Sequence, residues 1–356
     1  MGVGSRRDGG ASPDAATQSR ASSGSGGVER ARGAMICGVP VDDVTMEEAV
    51  DWIFDLVDDG RASDRSHQVA TVNVDFVVNA AVDPALRSLM QRTSLSIPDG
   101  MPIVWGSALL GSRLRARGAG ADLVPALAKR AAQHGATLAF YGASPGIAES
   151  AAALLRRTYP GANIVGDVGP SFGDVDELDL DSLSLLREMR PDICCVAFGN
   201  PKQERFIARF GQQLGIPVMI GVGGTLDFLV GDKRRAPVWM QRTGLEWLHR
   251  AATEPTRLGR RYMRDAILFG PRLAHHAWTG RRSRRAGAVV VGHDEIGDVV
   301  LDLTRLRVAD NRSAADIASA LRAAWLNGAT VKVVGSSEPA LRRIPGLAEM
   351  VALSTT

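Results

Sequence analysis

Between about residue 35 and residue 231, short apolar runs alternate with amphipathic segments, and this constrains the fold more than any other feature of the 356-residue chain. "QVATVNV" reads as a strand, followed by the helix "DPALRSLMQRTS", which opens at an Asp-Pro start signal. "LSIPDG" is a second strand end. "DLVPALAKRAAQHG" has helical spacing and stops at Gly135, as helix C-termini commonly do. "TLAFYGASPGIAESAAALLRRTYPG" is strand, glycine turn and helix, and "NIVGDVGP", "DICCVAFGNP" and "VMIGVGGTLDFLVG" add further strands. Strands of this length separated by helices predict parallel βαβ units in a doubly wound, mostly parallel, Rossmann-like α/β fold. Ligands of such folds bind at the carboxyl ends of the strands.

That core spans residues 34–231. With 45% hydrophobic and 23% charged residues the whole chain reads as globular rather than fibrous or disordered. Residues 1–33, rich in Gly, Ala, Ser and Arg, read as a disordered leader and not a targeting signal. No run of apolar residues is long enough to span a bilayer, so any membrane contact is expected to be peripheral. Cys37, Cys194 and Cys195 have no metal-ligand spacing and read as buried, reduced thiols of a cytosolic protein.

The chain changes character after residue 231. From Asp232 to Arg285 there are fourteen Lys and Arg against four acids, interleaved with Trp239, Trp247, Leu248, Tyr262, Met263, Ile267 and Trp278. Basic helices with aromatic faces suit an anionic membrane surface; the plainer reading is a set of solvated helix faces packed on the core. No nucleic-acid module accompanies the charge, and nucleic acid is not an expected partner. Residues 232–280 are thus a basic helical appendage and 281–287 a linker. Residues 288–356 form a small second α/β unit, read as strand, helix, strand and helix.

Several short motifs can carry chemistry. Asp99, between Pro98 and Gly100 after a strand, is placed as a general base for a hydroxyl nucleophile or as part of a Pro-Asp-Gly turn. Thr71 and Asn73 fall at a strand end, where Asn73 either orients a sugar hydroxyl or phosphate oxygen or caps a helix. "FYGASPGIAES" offers backbone N–H groups and a helix N-terminus to a phosphate. "GVGGTLDF" carries only part of the dinucleotide fingerprint, so no such cofactor is expected. The Asp174, Asp176, Asp179 and Asp181 cluster reads as a solvated, capped loop, and no metal is expected. In "VAFGNPKQERFI", Lys202, Gln203, Glu204 and Arg205 start a helix at a strand's carboxyl end.

Taken together, "TVNVDF", "IPDG", "RGAGADL", "YGASPG", "FGNPKQERFI", "GVGGTLDFLVGDKRRAPVW" and "QRTGLEWLHRAATEPTRLGRRY" resemble, in content and order, the WecG/TagA/CpsF family of bacterial glycosyltransferases. The resemblance covers about residues 36–273. It implies an inverting, metal-independent transferase that moves a hexose-type sugar from a UDP-sugar to a polyprenyl-diphosphate-linked saccharide, peripheral at the cytoplasmic face of the membrane. It makes Asp99 the base, with Thr71 and Asn73 lining the same pocket. Gln203 then contacts donor or acceptor, and Gly142 and Asp227 lie around the nucleotide. Arg117 matches, although Ala116 and Gly118 depart from the family's usual residues. Arg234, Arg235, Arg250, Arg257 and Arg261 are implied to close over the site and meet the diphosphate. The appendage serves its own protomer's site or a neighbour's in a homo-oligomer with equal ease on this spacing.

The tail resembles part of a STAS-type domain, with Asn311 where a phosphorylatable serine would fall, and implies a protein partner for residues 288–356. The alternative function is a non-catalytic nucleotide-sugar sensor or scaffold at the membrane, acting through that tail.

Overall fold

The computed structural model describes residues 33–167, 175–231, 236–281, 289–293, 298–306, 309–335, 341, 342, 344 and 346–354. The expected leader apart from Gly33, most of the linker, and Asp174 lie outside the described residues. The chain opens with an antiparallel hairpin, β1 (Gly33–Ile36) and β2 (Val39–Asp42). Helix α1 (Met46–Ser63) follows, started by a Thr45/Glu48 capping box.

β3 (His67–Val72) is shorter than the expected strand. Asn73 leaves the strand because its side-chain oxygen accepts from Phe76 N at 3.3 Å and starts α2 (Val74–Val82), a helix the apolar run conceals. α3 (Pro84–Gln91) begins as the Asp-Pro signal predicts, with Asp83 as its cap. Then come β4 (Leu95–Pro98), α4 (Met101–Leu109), α5 (Gly120–His134), β5 (Thr137–Gly142), α6 (Ile147–Thr158) and β6 (Asn163–Val165). α7 (Ser184–Met189), β7 (Ile193–Ala197), α8 (Lys202–Leu214), β8 (Val218–Gly221) and α9 (Thr225–Leu229) complete the core.

The six strands β3 to β8 form one parallel sheet in the order β4-β3-β8-β7-β5-β6. Helices cover both faces, which is the Rossmann-like architecture. Alternate residues of each strand supply the two sides. Leu138, Phe140, Ile193, Cys195 and Ile220 pack toward α1, α5 and α6, whereas Ala139, Tyr141, Cys194, Val196 and Met219 pack with Phe206 and Phe210 of α8. The adjacent Cys194 and Cys195 thus enter different cores; both are reduced, and burial pushes the Cys195 thiol up to about 12.

Past the core come α10 (Val238–Thr243), α11 (Glu246–Thr253), a wide turn at Pro255–Gly259 and α12 (Arg260–Arg281), of which α11, the turn and α12 line the cavities at the carboxyl end of the sheet. β9 (Val290–His293), β10 (Val299–Asp302), α13 (Asn311–Asn327), β11 (Val331–Val334) and α14 (Leu347–Ser354) then build a second unit around a three-stranded sheet, order β11-β10-β9. Its core contains Leu301, Ile317, Leu321 and Met350, and takes in Met35 from the hairpin. Asn311 is the buried first residue of α13.

Candidate active site

The carboxyl ends of β3, β4, β7 and β8 enclose two adjoining cavities of about 420 and 270 Å3. Asp99 lines both. Its backbone is pinned because Asp99 N donates to Val72 O at 2.7 Å while Gly118 N donates to Pro98 O at 2.8 Å. Among the described residues no group hydrogen-bonds its carboxyl. The surrounding protein pushes this carboxyl up from 3.8 to about 6, with Glu246 and Asp122 adding to the effect of burial and the Arg250 and Arg117 charges opposing it. A carboxylate that is unbonded, crowded and open to two cavities is suited to take a proton from a bound hydroxyl.

The larger cavity is polar, with Asn73, Ser144, Lys202, Asp227, Arg250 and Arg261 among its walls. The smaller one is bordered by Met101, Pro102, Trp247, Tyr262 and Phe269. Asn73 lines both, and its amide oxygen is held by the α2 cap. Thr71 lines only the larger cavity; its hydroxyl donates to Gly221 O at 2.9 Å, which ties β3 to β8 beneath the site.

Gln203 borders the larger cavity but is buried, with its amide engaged at both ends. Its Oε1 accepts from Gly199 N at 3.1 Å and Gly223 N at 3.0 Å, and its Nε2 donates to Glu204 at 2.8 Å. Gln203 thus stitches the loop after β7 to the loop after β8. Burial pushes the Glu204 carboxyl up to about 7, opposed by hydrogen bonds from Gln203 and Asn200. The polar start of α8 is therefore the internal frame of two loops.

Ala143 and Ser144 line the larger cavity, and Gly142 stands directly before them without lining it. Its φ of 93° turns the chain, and a Cβ there would lie 2.4 Å from the Phe198 ring, which stacks edge-on to Tyr141. Asp227, at the start of α9, lines the larger cavity.

Beside Lys202 and Arg117, the helices after residue 231 bring Arg250 and Arg261 to the cavities. Arg250 of α11 lies 4.4 Å over the Phe228 ring and donates to Glu246 at 2.6 Å; Arg117 reaches the other Glu246 oxygen at 3.2 Å. Arg250 and Arg261 both line the larger cavity, and each keeps a buried Nε with no acceptor among the described residues, a costly state. Arg264 fastens α12 to α2 by donating to Asp75 at 2.9 Å and Asn79 at 2.8 Å. Arg234 and Arg235 lie outside the described residues, and Arg257 falls in the turn at Pro255–Gly259. Sequence reasoning missed Glu246, which is buried between Arg117 and Arg250; its i,i+4 spacing to Arg250 in "GLEWLHR" is the one local signal for it.

A parallel α/β sheet with a raised-pKa carboxyl and arginine side chains lining the cavities at its strand ends has the arrangement of a Rossmann-like group-transfer enzyme. The profile of the glycosyl transferase WecG/TagA/CpsF family matches residues 34–283, and the chain belongs to that family. Curated relatives include the N-acetylglucosaminyldiphosphoundecaprenol N-acetyl-beta-D-mannosaminyltransferase of Bacillus spizizenii. It is 31% identical over 189 residues, 53% of this chain and 72% of the relative. The enzyme of the same name from Bacillus subtilis is 32% identical over the same shares, and that of Staphylococcus aureus is 29% identical over 63% of this chain and 86% of its own.

Proposed function

We propose that this protein is an inverting glycosyltransferase that moves a hexose-type sugar from a UDP-sugar onto a polyprenyl-diphosphate-linked saccharide. The observation that carries the reading is Asp99, unbonded at the junction of a polar and an apolar-walled cavity. The polar cavity takes the nucleotide sugar, with the guanidinium groups of Arg250 and Arg261, which line it, meeting its diphosphate. The apolar-walled cavity takes the lipid-linked acceptor. Asp99 removes the proton of the acceptor hydroxyl, its oxygen bonds to the anomeric carbon, and the bond from that carbon to the diphosphate oxygen breaks. One displacement inverts the anomeric centre, and the arginines stabilise the charge on departing UDP.

The relatives' names direct the donor toward N-acetylmannosamine and the acceptor toward N-acetylglucosaminyl-diphosphoundecaprenol. A peripheral position at the membrane is supported by Trp239, Trp247, Leu248, Met263 and Ile267, all exposed on the basic helices α10–α12. No helix among the described residues is long and apolar enough to cross a membrane.

The test is UDP release across a panel of UDP-sugars, with a short-chain polyprenyl-diphosphate N-acetylglucosamine as acceptor and a chelator present. Acceptor-dependent release from one donor is the expected result. UDP binding without release from any donor would instead favour a sensor, and release abolished by the chelator would remove the metal-independent step.

A further inference from the structure

The family match ends at residue 283, yet the unit beyond it reaches into the strand that carries Asp99. β4 is an edge strand, paired with β3 on one side only. On its open side the Ser96 amide donates not to a neighbouring strand but to a carboxylate, Asp42 Oδ2, at 2.7 Å. Asp42 is buried, and a buried carboxylate needs a partner.

That partner is Arg322 of α13, also buried. Its two terminal nitrogens donate to the two Asp42 oxygens at 3.0 Å each, and its Nε donates to Thr93 O at 2.9 Å. One guanidinium thus holds both the entry to β4 and the carboxylate that caps its outer edge. Ser96 stands three residues before Asp99, about 10 Å along an extended chain. Arg322 also donates to Ser96 Oγ at 3.3 Å; the strand is otherwise held by its pairing with β3, by Gly118 N to Pro98 O and by Asp99 N to Val72 O. The same face of the tail is fixed by Arg87 to Glu349, at 2.9 and 3.0 Å, and by Gln91 to Gly346 O at 2.9 Å. Neither of those contacts touches β4.

We propose that the C-terminal α/β unit is a clamp on the catalytic strand, and that Arg322 is a positioning residue for Asp99. The catalytic consequence rests on the function proposed above; the clamping of β4 does not.

The experiment compares full-length Arg322→Gln, Arg322→Lys and Arg87→Gln with the unaltered chain. Amide hydrogen exchange is read at Ser96 and Asp99, and the Asp99 carboxyl is titrated by carboxyl-carbon NMR. Arg322→Gln is expected to speed Ser96 exchange by about tenfold or more, a local opening that spares strands β7 and β8. It is also expected to move the Asp99 midpoint down from about 6 as water enters. Arg322→Lys should recover part of both effects, and Arg87→Gln, which loosens the tail elsewhere, should show neither. With substrates supplied, kcat for Arg322→Gln should fall on the order of tenfold to a hundredfold while KM holds.

Equal exchange at Ser96 in the Arg322 and Arg87 variants would overturn the proposal, as would an unmoved Asp99 midpoint. If Arg322→Gln does not fold, Arg322→Lys is read in the same way, since it keeps the charge but loses the fork. Exchange and titration need no substrate, so a failure to find transfer activity leaves this test intact.

Discussion

Asp99 combines two properties that oppose each other in an ordinary surface turn: it is reachable from two cavities, and protein crowding raises its affinity for a proton. Asp99→Asn is expected to lower turnover by about a hundredfold or more, the range for losing a general base, with the fold retained. The raised midpoint also fixes the sign of a stability effect. The folded carboxyl titrates near 6 against an ordinary 3.8, so the folded state binds the proton more tightly and the ionised side chain destabilises it. That destabilisation is absent below the ordinary value, grows between the two and is complete above 6. Asp99→Asn should therefore melt at a higher temperature than the unaltered protein at neutral pH, and the two should converge in acid. Thermal melts at both pH values check this, and a variant less stable at neutral pH would contradict it. In sequence, Pro-Asp-Gly was legible as a turn or a base but not as one rather than the other. The residues that decide its surroundings, Glu246 and Arg250, arrive from about 150 positions away. The departure at Gly118 has a visible cause: a Cβ there would lie 2.4 Å from Ile97, so glycine permits the close approach of this segment to β4.

The start of α8 shows how one element organises two others. Gln203 accepts from Gly199 N and Gly223 N, so it joins the loops after β7 and β8 across the floor of the larger cavity. Gln203→Met keeps the length of the side chain and removes the acceptor. It should cost about 1–3 kcal/mol in urea unfolding, the range for a donor left without a partner, and weaken UDP binding more than thermal stability alone explains. Unchanged UDP affinity by calorimetry would argue that the stitch has no bearing on the site. From there a polar chain continues: Glu204 accepts from Asn200, Asn200 accepts from Asn79, and Asn79 accepts from Arg264 of α12. Arg264 is half exposed, so Arg264→Gln should change stability by less than about 1 kcal/mol. Its effect should fall on KM for the lipid-linked acceptor, because α12 walls the smaller cavity; an unchanged KM in steady-state kinetics would count against α12 as an acceptor wall. The six strands of the parallel sheet and the helices α3, α5, α6 and α8 were legible because period and turn residues are local signals, whereas the opening hairpin and α1, α4, α7 and α9 went unread. The helix after Asn73 was not legible either, since an apolar run gives no boundary until the cap geometry is seen.

At the scale of the whole molecule, charge and periodicity suggested a basic helical segment and a small α/β unit after the core, and the residues described there include helices and a three-stranded sheet. What the sequence could not announce is that this unit and the core share a buried ion pair. Asp42 and Arg322 are 280 positions apart, and neither has a local pattern that names the other. Removing one partner of a buried ion pair costs about 3–5 kcal/mol, and cutting the chain after residue 287 takes Arg322 from Asp42 while also uncovering Met35. Against a total stability on the order of 5–15 kcal/mol, that loss is large. The truncated chain is therefore expected to melt well below the full-length protein, and Asp42→Asn is expected to raise the melting temperature of the truncated chain, because the amide keeps an acceptor for Ser96 N without a buried charge. In the full-length protein the same substitution should lower it, because Arg322 then becomes the unpaired ion. This reversal of sign between two backgrounds isolates the ion pair from general damage at the cut. A truncated chain that melts with the full-length protein, or an Asp42→Asn effect of the same sign in both, would show that the tail is a passenger on the transferase core.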